Sequence, residues 1–232
     1  MERKPRLLTV LDVLSIVLLA VATWMALFWA PMEALMGNVQ RVFYFHVAAG
    51  WVGMMGFLLA VIAGIAYLRT GAGKWDIVGL SGVEIGLVFA FINIVTGSIW
   101  ARPIWNTWWT WDPRLVTATI MFLVYVAYLM LREGIDDPNR RARFGAIYAI
   151  VGFVSVPLTF LSIRIFRTIH PTLVGSGDPA ALGAFDMTPN MRMVFFFSLF
   201  VFTVIGIDLL WHRIRLGWLK DQVEQRKFQL MS

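Results

Sequence analysis

Six long apolar runs, at positions 7–30, 42–68, 76–99, 114–131, 144–163 and 193–211, set the narrowest limit on what this 232-residue chain can fold into. A helix needs about twenty such residues to cross ~30 Å of hydrocarbon. Inside a bilayer no water satisfies a peptide group, so each run must close its own N–H and C=O groups as a helix. The expectation is all-α: a polytopic membrane protein of six transmembrane helices in a single integral membrane domain, residues 1–232. A composition 59% hydrophobic and 15% charged, with a mean hydropathy of +0.73, excludes a soluble domain of this size.

The charged residues gather where the runs end. The basic start MERKPR, the turn RTGAGKW at 69–75, the turn REGIDDPNRRAR at 132–143 and the polar tail at 213–232 hold fourteen of the chain's twenty Lys and Arg. Cytoplasmic loops are the basic ones, so both termini are expected inside and the segment 100–114, between the third and fourth spans, outside. The same distribution makes the net charge of +6 a matter of topology and argues against nucleic-acid binding. MERKPR and the run behind it resemble a signal peptide, but the run is too long for one and is expected to stay as the first span. RTGAGKW fails as a phosphate loop, because Lys74 is followed by Trp75 rather than Ser or Thr. The chain has no cysteine, hence no thiol pair and no thiolate ligand. Pro157 should kink the fifth span. A Gly/Pro-rich connection of nearly thirty residues then leads to the sixth, and loops that long are uncommon unless functional or disordered. Glu84 and Asn93 lie within the third span and Asp208 near the end of the sixth. Polar groups at that depth face the bundle interior, and for Glu84 a structural or subunit-contact role is expected.

The outer segment WARPIWNTWWTWDPR is unlike the rest. Five of eleven tryptophans, Trp100, Trp105, Trp108, Trp109 and Trp111, fall within it. A membrane-interface belt spreads its aromatics over many helix ends, so the clustering points instead to a large planar ligand. If the segment turned helically, Trp105, Trp108 and Trp109 would share one face with Trp111 beside Trp108. Asp112 and Pro113 suit the N-cap and first turn of the next helix. Capping does not account for Arg114, whose cation opposes the helix dipole and is available to an anionic group.

The expected topology also sorts the three histidines. His46, about one turn inside the second span, and His170, in the long loop, share the face with the tryptophans. His212 lies at the opposite end and reads as an ordinary helix-end residue.

The run W-N-T-W-W-T-W-D-P-R-L (Trp105 to Leu115) resembles the WWD motif of the haem-handling proteins of cytochrome c biogenesis, W-G-x-W-W-x-W-D-x-R-L. GNVQRVFYFHV around His46 and SVPLTFLSIRIFRTIH ending at His170 are similar to the two histidine-bearing segments of its smallest branch, the CcmC-type proteins. The chain departs from these patterns at Asn106 (usually Gly), Val116 (Thr), Ala48 (Pro), Ile165-Phe166 (Trp-Trp) and Pro171 (Gln). The resemblance implies a haem-presenting subunit in a bacterial inner membrane. It would work beside an ABC-type ATPase and its membrane subunits and pass haem b to a membrane-anchored haem chaperone. His46 and His170 would be the axial iron ligands, and the platform would be Trp100, Trp105, Trp108, Trp109 and Trp111. Asp112 and Arg114 complete the cofactor-binding segment, with Arg102, Arg164 or Arg167 as further propionate partners. On this reading the chain is not an enzyme, since it carries no nucleotide motif, catalytic triad or thiol pair. The alternative is a b-type haem electron-transfer cytochrome, which clamps haem between histidines inside its bundle.

Overall fold

The computed structural model describes residues 4–171 and 187–231; most of the long Gly/Pro connection, at 172–186, lies outside them. The described residues contain seven α-helices and no strand. α1 (Arg6–Trp24) runs on through one π-turn (Met25–Trp29), followed by α2 (Gln40–Thr70), α3 (Gly73–Trp105), α4 (Pro113–Glu133), α5 (Pro138–Gly152), α6 (Ser155–Ile165) and α7 (Pro189–Met231). With α5 and α6 taken as one bent unit, six of these segments are long and apolar enough to cross a membrane.

Local chemistry sets most of the boundaries. Gly71, at φ 67°, ends α2 in the left-handed conformation. Asp112 and Asp137 cap α4 and α5, each with a proline at the first helical position. Pro157 lacks an N–H and its ring crowds the carbonyl four residues back, at Phe153. The break accordingly falls at Phe153 and Val154, between α5 and α6.

Two helices run further than their apolar runs. α7 continues to Met231, and α3 extends past Ile99 to Trp105 with Pro103 inside it. At 33 residues α3 is about 50 Å long, and its extra turns carry Trp100 and Trp105 to one end of the bundle.

α2 and α3 form the central pair, with α5 and α7 packed on α2, α1 on α7, and α4 bridging α3, α5 and α6. Small residues let the central pair touch backbone to backbone: a Cβ on Gly53 would lie 3.2 Å from Gly86 O. Such close approach is how helices associate in lipid, where burial of apolar surface gives no net drive. Beside this seam Phe57 of α2 stacks on Tyr125 of α4, with centroids 3.7 Å apart and planes within 3°.

Away from the tryptophan segment, ion pairs tie the helices. Asp76 takes both arms of the buried Arg132 guanidinium, at 2.5 and 2.8 Å. Glu84 pairs with Arg213 of α7. His212 donates from Nε2 to the Asp12 carboxylate at 2.7 Å, with the buried Asp208 at 3.8 Å. The third histidine is thus satisfied where it stands.

Candidate functional site

At the other end of the bundle larger polar side chains enter between the central pair. The His46 ring occupies the space beside Gly97, where a Cβ would lie 2.9 Å from its Cε1. Asn93 fills the next gap toward the middle and donates from Nδ2 to the His46 carbonyl at 2.8 Å. The His46 ring is fixed by α3 itself: Nδ1 lies 2.9 Å from the Asn93 carbonyl oxygen and 3.2 Å from Thr96 Oγ1. A carbonyl oxygen only accepts, so Nδ1 carries the proton and donates. The lone pair is therefore on Nε2, which has one long contact, with Asn93 Nδ2 at 3.5 Å.

His170 is held by the same logic in a non-helical segment that follows α6. Its Nδ1 donates to the Pro171 carbonyl at 2.9 Å, which again leaves the Nε2 lone pair available. Burial, with the Arg114 guanidinium and the His46 ring nearby, holds this imidazole far below its ordinary range, at about 3, while the bond to Pro171 works in the opposite direction. His170 is therefore neutral at any physiological pH.

The tryptophans divide into two groups. Trp100, 8% exposed, meets Trp105 edge to face at 5.2 Å, and Trp105 packs its ring against His170 at 6.4 Å. The indole N–H groups of both are buried and have no hydrogen-bond partner among the described residues. Trp109 meets Trp111 edge to face at 6.1 Å, while Trp108 and Trp111 are 59% and 84% exposed.

The single helical face that would have joined Trp105, Trp108 and Trp109 does not form. α3 stops at Trp105 because Asn106 turns left-handed at φ 54°, and the chain is irregular from there to Asp112. That conformation suits glycine best and asparagine next, and Arg102 steadies it by donating to Asn106 O and Oδ1 at 2.7 and 2.6 Å.

Arg114 lies over the Phe160 ring at 4.7 Å and donates to the Thr159 carbonyl. Asp112, 8% exposed, accepts the Arg114 N–H at 2.9 Å. It also accepts from Thr168 Oγ1, at 2.8 Å from each oxygen, and from the Ile169 N–H at 2.9 Å. No side-chain bond is described for Arg167 to this cluster. Arg102 is spent on Asn106.

Sequence reasoning missed Asn93, Thr96 and Thr168 as partners of the histidine segments. Asn93 carried a usable signal, being a polar residue at membrane depth. Thr168 carried none.

The family model for heme exporter protein C matches residues 1–229. The chain belongs to the heme exporter protein C family. Its relatives there include the heme exporter protein C of Bradyrhizobium diazoefficiens, 30% identical over 200 residues, covering 86% of this chain and 76% of that one. The Escherichia coli (strain K12) protein of the same name is 30% identical over 205 residues, or 88% of this chain and 81% of its own. That of Haemophilus influenzae is 32% identical over 157 residues, 68% and 64% of the two chains. Family membership supports a role in haem handling for cytochrome c biogenesis. With six helices able to span a membrane, it fits a multi-pass protein of a bacterial inner membrane.

Proposed function

We propose that this chain receives haem b between His46 and His170 at the tryptophan-bearing end of the bundle and presents it, from the extracytoplasmic side, to a membrane-anchored haem chaperone. The observation that carries the reading is the matched state of the two imidazoles. Each gives its Nδ1–H to a backbone carbonyl and so keeps Nε2 as an electron-pair donor, the arrangement that sets the tautomer of a metal-binding histidine. The two come from different parts of the chain, one from α2 and one from the segment after α6.

The surroundings suit a planar, dianionic, iron-centred ligand. Trp105 offers an aromatic surface beside His170. The buried N–H groups of Trp100 and Trp105, which have no partner among the described residues, would donate to a carboxylate of the ligand, and a buried polar group without a partner is costly until it finds one. Trp108, Trp109 and Trp111 extend the apolar rim outward. Trp108 and Trp111, both exposed, would cover the ring edge or meet the partner that removes it. Arg114 contributes positive charge, and Asp112 belongs to the same wall.

On this reading the chain is a binding and transfer subunit rather than an enzyme. The ABC-type ATPase and the other membrane subunits of the system would supply any energy. An exporter family favours this reading over electron transfer.

Absorption spectroscopy of purified, haem-loaded protein tests it. The expected result is a six-coordinate low-spin spectrum that becomes five-coordinate in His46→Ala or His170→Ala and is lost in the double variant. A spectrum unchanged in both single variants would overturn the ligand assignment.

A further inference from the structure

Capping a helix takes one acceptor bond, and Asp112 accepts from three donors. Its bond to the Arg114 N–H caps α4. The other two donors lie 56 and 57 residues along the chain: the Thr168 hydroxyl, shared between the two carboxylate oxygens, and the Ile169 N–H. Thr168 is 4% exposed, and its hydroxyl oxygen in turn accepts the His170 N–H at 3.0 Å. The segment has no secondary structure to hold it: α6 ends with Phe166 already extended, and residues 167–171 belong to no helix. Buried peptide groups in such a stretch must be paired from outside. A charged acceptor makes the strongest such pair, at roughly twice the strength of a neutral one.

The carboxylate is itself anchored. α4 is fastened to α6 by Arg114, which donates to the Thr159 carbonyl, and by the Thr159 hydroxyl, which donates to the Thr117 carbonyl at 3.1 Å. Asp112 thus stands on a fixed helix start and holds a loop that would otherwise be free to move the His170 ring.

We infer that Asp112 is a positioning residue for His170: it acts through Thr168 and Ile169 to set where the imidazole stands, and it does not touch the bound ligand. The inference rests on His170 being an axial ligand. It assigns the carboxylate of the WWD-like run a different task from that of the tryptophans beside it.

The test uses the full chain in detergent or nanodiscs, loaded with haemin, in four forms beside the parent: His170→Ala, Asp112→Ser, Asp112→Ala and Thr168→Val. Serine still caps α4 but is too short to span to the loop, so Asp112→Ser separates capping from positioning. Asp112→Ser and Thr168→Val should fold but unfold below the parent, because buried groups of the loop lose a partner, with Asp112→Ser above Asp112→Ala, which also loses the cap. Both should show a mixed high-spin spectrum and lose haem about tenfold faster, equivalent to ~1.4 kcal/mol. Added imidazole should restore the low-spin spectrum in both, as in His170→Ala, because it replaces a displaced ligand. A merely structural role would not be answered by imidazole.

A fully low-spin spectrum in Asp112→Ser and Thr168→Val, with His170→Ala altered, would overturn the inference and leave the ligand reading standing. So would a haem loss in Asp112→Ser that imidazole does not correct while it corrects His170→Ala, which is the behaviour of a direct ligand contact. An unaltered spectrum in His170→Ala would remove the ligand reading and the inference together.

Discussion

A Cβ placed on Gly56 would stand 2.6 Å from the carbonyl oxygen of Gly82, and one placed on Gly82 would stand 2.7 Å from that of Gly56. The two helices that carry His46 and Asn93 therefore touch at their backbones, and the seam has no room for a methyl group. Gly82→Ala should force α2 and α3 apart at a cost of about 1–3 kcal/mol. The thermal midpoint followed by circular dichroism should fall, with Gly73→Ala as the control, since a Cβ there meets nothing within 4 Å. Equal midpoints for the two variants would show that the seam yields freely.

Gly97 offers the opposite combination of effects. Alanine there would press a Cβ to within 2.9 Å of His46 Cε1, an atom on a side chain that can turn. Helix propensity improves by about 1 kcal/mol at the same time. Gly97→Ala should therefore unfold no earlier than the parent while its haem-loaded form shows more high-spin character. A spectrum matching the parent would mean that the His46 ring has slack the geometry does not reveal.

The left-handed Asn106 should tolerate the residue usual in WWD-like runs and reject the commonest helix former. Asn106→Gly keeps the φ of 54° without a Cβ penalty and loses the Arg102 contact to Oδ1. It should be close to neutral. Asn106→Ala loses that contact and also pays about 1–2 kcal/mol for the conformation. Chemical or thermal unfolding of the pair should separate them in that order, and an alanine variant as stable as the glycine one would contradict the cap.

Arg132, 7% exposed, has its guanidinium taken by Asp76 at the far end of the bundle. Asp76→Ala would leave a buried cation without its anion, a loss of about 3 kcal/mol. The midpoint should fall by several degrees, yet the haem spectrum of the folded fraction should match the parent because the pair is remote from both histidines. A changed spectrum in folded Asp76→Ala would mean that the two ends of the bundle are coupled.

The amino-acid sequence by itself determined that the chain has six segments long and apolar enough to cross a membrane and that one connection concentrates its indoles. It also determined that Asp112 with Pro113 starts a helix and that Pro157 bends one. These follow from run length, composition and the conformational limits of single residues, all of which are local. Tertiary structure alone decided which groups meet. It turned the chain at Asn106, so that Trp105 packs on His170 while Trp108 and Trp111 face outward. It set the Asn93 carbonyl against a ring 47 residues away, and it gave the carboxylate of Asp112 a second task on Thr168. Hydropathy and spacing carry no record of such pairings, because a hydrogen bond between distant segments depends on how whole helices pack and not on the residues around either partner.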